Sequence, residues 1–141
     1  MKQLTVFVQN QKGSVVAVTD ILSEIGINIR ALSIAETEEF GILRLVVSDP
    51  TAAETALRER GYLIKVVEVV GVKIGDAPGK LSQALGVLDR ADINVEYLYA
   101  FMARTERHAY VALRVEDNAS AEAALTEAGF HLITEADILK L

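Results

Sequence analysis

The sequence predicts an α+β chain in which one βαββαβ unit occurs twice, as two tandem sandwiches packed side by side. Three observations carry this expectation. The segment from Gly13 to Gly26-Ile27-Asn28-Ile29 returns as the segment from Gly79 to Asp92-Ile93-Asn94-Val95, 66 positions later. Gly61-Tyr62 returns as Gly129-Phe130 and Asp49 as Asp117, now 68 positions later, which places two extra residues near Arg104 to His108. Each half also runs through strand and helix periodicities in the same order. Two copies are too few for a solenoid, which needs at least about three stacked units. The expected division is therefore 1–69 and 70–141, two small domains that gain by sharing a core, since units of this size bury little surface alone.

The elements follow in order. Leu4 to Gln9 reads as a strand by length and β-branched content, and Val70 to Ile74 matches it. A Gly-containing bend comes next. Val15, Val18, Leu22 and Ile25 are then spaced for one helix face ending at Gly26, and Leu81, Ala84, Leu85, Leu88 and Ala91 repeat the pattern. Asn28 to Glu36 and Asn94 to Met102 read as second strands, Ile42 to Ser48 and Tyr110 to Glu116 as thirds. Asp49-Pro50 is a helix start, an acceptor at the N-cap and a proline where its missing N–H costs nothing; Asp117-Asn118 stands there in the second half. Gly61 and Gly129 close those helices. Leu63 to Val69 and His131 to Asp137 complete the count as fourth strands. Right-handed crossovers place both helices on one face of each antiparallel sheet, a ferredoxin-like sandwich. In such a sheet the second and fourth strands are edges, and the apolar edge Ala31 to Ala35 leads us to expect the two repeats to join through their second strands into one continuous sheet.

Composition narrows the function. A hydrophobic fraction of 51% with 2 prolines describes an ordered globular chain. A net charge of −6 argues against nucleic acid, which needs clustered Lys and Arg. Apolar runs of strand length and the lack of a signal-peptide core argue against a membrane. The absence of cysteine removes disulfides, thiolate metal sites and a cysteine nucleophile. His108 and His131 have no ligand-spaced partners, so no metal and no cofactor is expected. A cytoplasmic location is the default.

The bend before the first helix of each repeat reads Asn10-Gln11-Lys12-Gly13-Ser14 and Asp76-Ala77-Pro78-Gly79-Lys80. Backbone N–H groups at a helix N-terminus suit a carboxylate, and Asn or Asp suits an ammonium, so the loop can hold a zwitterion. The same pattern is also ordinary turn and capping chemistry. Tyr97, Tyr99 and Phe101 alternate on one face of their strand, either as packing or as a lining for a ligand.

Asn/Asp-x-x-Gly, an amphipathic helix, and then Gly-Ile-Asn-Ile or Asp-Ile-Asn-Val entering a strand resemble the ACT domain, in both halves and over essentially the whole chain. The resemblance is nearest to stand-alone tandem ACT proteins. It implies ACT-like folds, no catalytic activity, a regulatory role and an amino-acid effector lying between two ACT units. It further implies that Asn10, Gly13, Ser14, Asn28, Asp76, Gly79, Lys80 and Asn94 are ligand-binding positions. The expected pairings are Asn10 with Asn94 and Asp76 with Asn28. A homodimer and a metabolic enzyme as partner are implied in the same way. Some family members carry a histidine two residues before the loop Asn; Val8 and Ile74 stand there in this chain, which leaves the identity of the amino acid open. The competing functional expectation is an interaction module that scaffolds or regulates an enzyme without binding a ligand, using a sheet face that carries Phe7, Ile42 and Val46. An enzyme is disfavoured because the chain has no cysteine, no His-acid pair and no Arg-containing anion cradle in the first loop.

Overall fold

A computed structural model describes residues 1–102 and 107–141. Arg104, Thr105 and Glu106, most of the stretch expected to hold the two extra residues, lie outside the described residues. The first repeat runs β1 (Lys2–Gln9), α1 (Ser14–Glu24), β2 (Ile29–Glu36), β3 (Phe40–Val47), α2 (Pro50–Glu59) and β4 (Leu63–Glu68). The second runs β5 (Val70–Gly75), α3 (Lys80–Arg90), β6 (Val95–Ala100), β7 (His108–Val115), α4 (Asn118–Glu127), β8 (His131–Leu132) and α5 (Glu135–Lys140). The chain divides into a unit of Lys2–Val67 and a unit of Glu68–Leu141 together with Met1. Met1 joins the latter because its ammonium donates to the Val69 carbonyl at 3.0 Å and pairs with Glu68 at 3.1 Å, while Val69 N–H donates back to the Met1 carbonyl at 2.9 Å.

Each unit is a four-stranded antiparallel sheet with two helices against one face. The strand orders are β2-β3-β1-β4 and β6-β7-β5-β8. In the first unit, alternate residues Leu4, Val6 and Val8 of β1 and Leu43, Leu45 and Val47 of β3 meet Val18, Ile21 and Leu22 of α1 and Ala53 and Leu57 of α2 in one buried cluster. This is the period of 2 on the strands meeting the period of 3.6 on the helices. The second core repeats it with Val70, Val72 and Ile74 against Ala84, Leu88, Ala121 and Leu125. Phe7, Ile42 and Val46 lie outside that helix-side cluster, and Phe7 pairs with Ile42 across the ladder. Val46 is nevertheless buried, as are Gln3, Thr5 and Ala31.

Two expectations are corrected. The described strands form two separate four-stranded sheets and not one continuous sheet; β2 and β6 are each bonded on one side only, to β3 and β7. Water can satisfy the outward N–H and C=O groups of an edge, so an apolar edge does not oblige pairing within the chain. The fourth strand expected over 131–137 keeps only His131–Leu132 and gives way to α5. The cause is a capping box: the Asp137 carboxylate accepts from Thr134 N–H at 2.9 Å, and the Thr134 hydroxyl accepts from Asp137 N–H at 3.3 Å. Elsewhere the caps are those expected, with Asp49 accepting from Ala52 N–H and Asp117 from Ser120 N–H. Tyr97 and Tyr99 of β6 stack with centroids 6.5 Å apart, and Phe101, just past β6, meets Tyr110 edge-on at 6.5 Å, so this aromatic row is engaged in packing.

Candidate functional site

The bends after β1 and β5 are built alike, residue for residue. Asn10 N–H donates to the Glu39 carbonyl at 3.3 Å, and Asp76 N–H to the Arg107 carbonyl at 3.1 Å, so each loop is tied to the hairpin beside it. Ser14 N–H reaches the Gln11 carbonyl at 3.3 Å and Lys80 N–H the Ala77 carbonyl at 3.2 Å, closing the turn. The N-cap is then Gly13 at φ 88° and ψ −10°, and Gly79 at φ 85° and ψ −8°. A left-handed N-cap is unusual, because the residues that cap best sit in extended backbone and offer a side-chain oxygen. Here glycine supplies the geometry and no side chain closes the first turn of α1 or α3. The other three described helices, α2, α4 and α5, all have a capping side chain. Asp76 therefore does not cap α3, which leaves its carboxylate to other uses.

The loop side chains differ. Asn10 donates its amide N–H to the Thr37 carbonyl at 3.2 Å, which orients the group and keeps its oxygen available as an acceptor. Lys80 reaches Gln83 at 3.4 Å, one turn along α3. Asn10 and Ser14 share a cavity of about 370 Å³ with Val15 of α1 and Ile34, Ala35 and Glu36 of β2. Ser14 and Gly13 also line a cavity of about 580 Å³ on the opposite flank of the loop, beside β4, together with Gln11, Phe40, Tyr62 and Leu63. That second cavity was not anticipated from the sequence, because its lining comes from three separated segments, 7–17, Phe40 and 61–63.

Asn28 lies elsewhere. Its N–H donates to the Ser48 hydroxyl at 3.0 Å and its carbonyl accepts from Ser48 N–H at 2.9 Å; the residue is exposed. Gln9 pairs with Phe40 and Ile29 with Val47, so the loop and the asparagine flank opposite ends of β3. Seven strand positions at about 3.3 Å each put the two ends of this ladder about 23 Å apart, and Asn10 and Asn28 lie one residue beyond those ends. The same register, Gly75 with His108 and Val95 with Val115, separates Asp76 from Asn94. Asn94 lines a cavity of about 460 Å³ with Asp89 and Asp92. Within either unit, then, the loop and the second-strand asparagine do not meet.

No helix among the described residues is long and apolar enough to cross a membrane. A search of the curated proteins finds no match. Among solved structures, a protein from Bacteroides thetaiotaomicron is 35% identical with a TM-score of 0.92, over 99% of this chain and 96% of that one. The regulatory subunit of aspartate kinase from Thermus thermophilus, in its ligand-free form, has 17% identity and a TM-score of 0.66 over 91% of each chain, which is a likeness of fold. That of Thermus flavus gives 18% and 0.62 over 90% and 91%. A family profile described as an ACT domain pair matches residues 1–141. With two βαββαβ units, twin glycine bends and a match over its full length, the chain belongs to the ACT domain family as an ACT domain pair.

Proposed function

We propose that this ACT pair is a non-catalytic regulatory protein that binds a free amino acid at its β1-α1 and β5-α3 loops, with residues 1–69 and 70–141 as its two domains. The observation that carries the reading is the pair of uncapped, glycine-led helix starts. Gly13-Ser14 and Gly79-Lys80 leave the positive end of α1 and α3 to a carboxylate, and Asn10 and Asp76 stand beside it as acceptors for an ammonium. Asn28 and Asn94 lie at the far sheet ends from the loops of their own units, so a pocket that includes them spans two ACT units, Asn10 with Asn94 and Asp76 with Asn28, and a homodimer would supply further units for it. The setting is cytoplasmic, where free amino acids signal to metabolic enzymes, and the natural partner is such an enzyme.

The alternative is an interaction module without a ligand, favoured by the unpaired edges of β2 and β6. A thermal-shift screen with each of the twenty amino acids separates the two, because a ligand at 100 times its dissociation constant stabilises the fold by about 2.7 kcal/mol and a pure scaffold gains nothing. Asp76→Ala should weaken binding by roughly 10-fold to 150-fold, since a carboxylate bonds an ammonium more strongly than an amide does. Asn10→Ala should cost less. Undiminished affinity in both variants would remove the loops from the site.

A further inference from the structure

The larger cavity beside the first loop, about 580 Å³, has a different lining from the cavity of about 490 Å³ at Lys73 and His131, the aligned positions of the second repeat, which is walled by Ile133, Asp137 and Lys140 instead. Its wall is apolar and aromatic, with Phe7, Phe40, Tyr62 and Leu63; Phe40 is 50% exposed and Leu63 67%. Its mouth is cationic. Lys12 lines it with no ion-pair partner among the described residues, next to the uncapped start of α1 at Gly13. Large apolar side chains exposed around a concavity of this size, with a few polar groups converging at one end, are the pattern of a small-molecule site.

We propose that this cavity binds a carboxylate with an aromatic body, the ring against Phe40, Tyr62 and Leu63 and the carboxylate between Lys12 and the first turn of α1. The charge follows from a cation and a helix N-terminus acting on the same point. The ring follows from the shape of the lining, since aromatic faces gain from offset or edge contacts beyond the area they bury. An ammonium is not needed, because Asn10 does not line this cavity. The site stands apart from the amino-acid reading above, although both use Gly13 and Ser14.

It is also confined to the first repeat. Phe40 pairs with the last residue of β1 and His108 with the last residue of β5, so the two occupy equivalent positions. By the same alignment Phe7 becomes Lys73, Lys12 becomes Pro78 and Leu63 becomes His131. The second repeat thus replaces three of the apolar wall residues with bases while keeping an aromatic at Phe130, and its cation moves from the position of Lys12 to Lys80, the first residue of α3.

The test uses the full chain and 3-phenylpropanoate, which has the carboxylate and ring but no ammonium, followed by the backbone amide resonances. Saturable shifts are expected at Gly13 and Gly61, without matching shifts at Gly79 and Gly129. Lys12→Glu, Phe40→Ser and Leu63→Glu should each weaken the ligand by about 10-fold or more, and the exposure of Phe40 and Leu63 keeps those variants folded. Met102→Glu, at an exposed apolar residue outside the cavity, should change nothing. The uncharged 3-phenylpropanol should bind about 10-fold more weakly. Shifts of equal size in both repeats, an affinity indifferent to Lys12 and Leu63, or no saturable shift at millimolar ligand would each overturn the proposal. Failure of 3-phenylpropanoate alongside a positive amino-acid titration would sink this site and leave the loop site standing.

Discussion

Single residues show how far the repeat constrains the backbone. Gly26 ends α1 at φ 71°, and the aligned Asp92 ends α3 at φ 58°, making it the only described non-glycine residue with positive φ. Left-handed backbone costs an ordinary L-residue about 1 to 2 kcal/mol, and Asp is among the few that tolerate it. Gly26→Ala should therefore lower stability by about 1 kcal/mol, whereas Asp92→Gly should be neutral or gain up to about 1 kcal/mol. Urea unfolding of the two variants checks this, and equal losses in both would show that helix termination here does not depend on the left-handed turn. The recurrence of Gly-Ile-Asn-Ile as Asp-Ile-Asn-Val made these positions legible in the sequence, as it did the twin bends at Gly13 and Gly79. Phe40, Tyr62 and Leu63 were not legible as a group. Phe40 lies far along the chain from Tyr62 and Leu63, and the three are gathered only once the register of β1 and β3 and the start of β4 are known. Their signal in the sequence is a difference between the repeats, Phe40 against His108 and Leu63 against His131, and not one of the features the repeats share.

Among the elements, the helices and central strands follow from periodicity because a sheet core and a helix face must both be apolar, and their ends differ from expectation by a residue or two. The exception is α5. Ile133 and Ile138 suit a strand or a short helix equally, so apolar content could not decide. Thr134-Glu135-Ala136-Asp137 decides it through a box that uses Asp where Glu is usual, with the turn after β8 too short for further ladder. Thr134→Ala should accordingly cost about 1 kcal/mol of stability. The box also responds to acid. Thr134 N–H and hydroxyl hold the Asp137 carboxyl below its ordinary value of 3.8, and the Ser120 hydroxyl and N–H do the same for Asp117 at the start of α4. A carboxylate whose folded pKa is depressed adds stability that is complete above its unfolded value and is lost as pH falls through the folded one. Stability should therefore fall below about pH 4, and Asp137→Asn should flatten part of that acid limb. Chemical unfolding between neutral and acid pH tests this; parallel curves for the variant and the parent would assign the acid loss to other groups.

For the whole molecule, the separation of the two sheets changes what association must accomplish. β2 ends its sheet as an edge, and Ile34, aligned with the core residue Leu43 on the helix side, is 53% exposed there. An exposed apolar residue on an unpaired edge is what native chains usually avoid unless something covers it. Because Asn10 and Asn28 stand beyond opposite ends of a ladder about 23 Å long, antiparallel pairing of β2 with β2 of a second copy would carry the loop of each chain toward the asparagine of the other. Edge pairing and site completion thus become one event under the proposed function. The chain should sediment at twice its 15.3 kDa at tens of micromolar. Ile34→Lys, which places a charge at the edge while leaving the core intact, should shift it toward monomer. Amino-acid affinity should weaken with it, and in the parent should depend on protein concentration, since a ligand bound across a dimer interface is linked to assembly. A monomer that binds its amino acid with undiminished affinity would separate the two events and place the complete site within one chain.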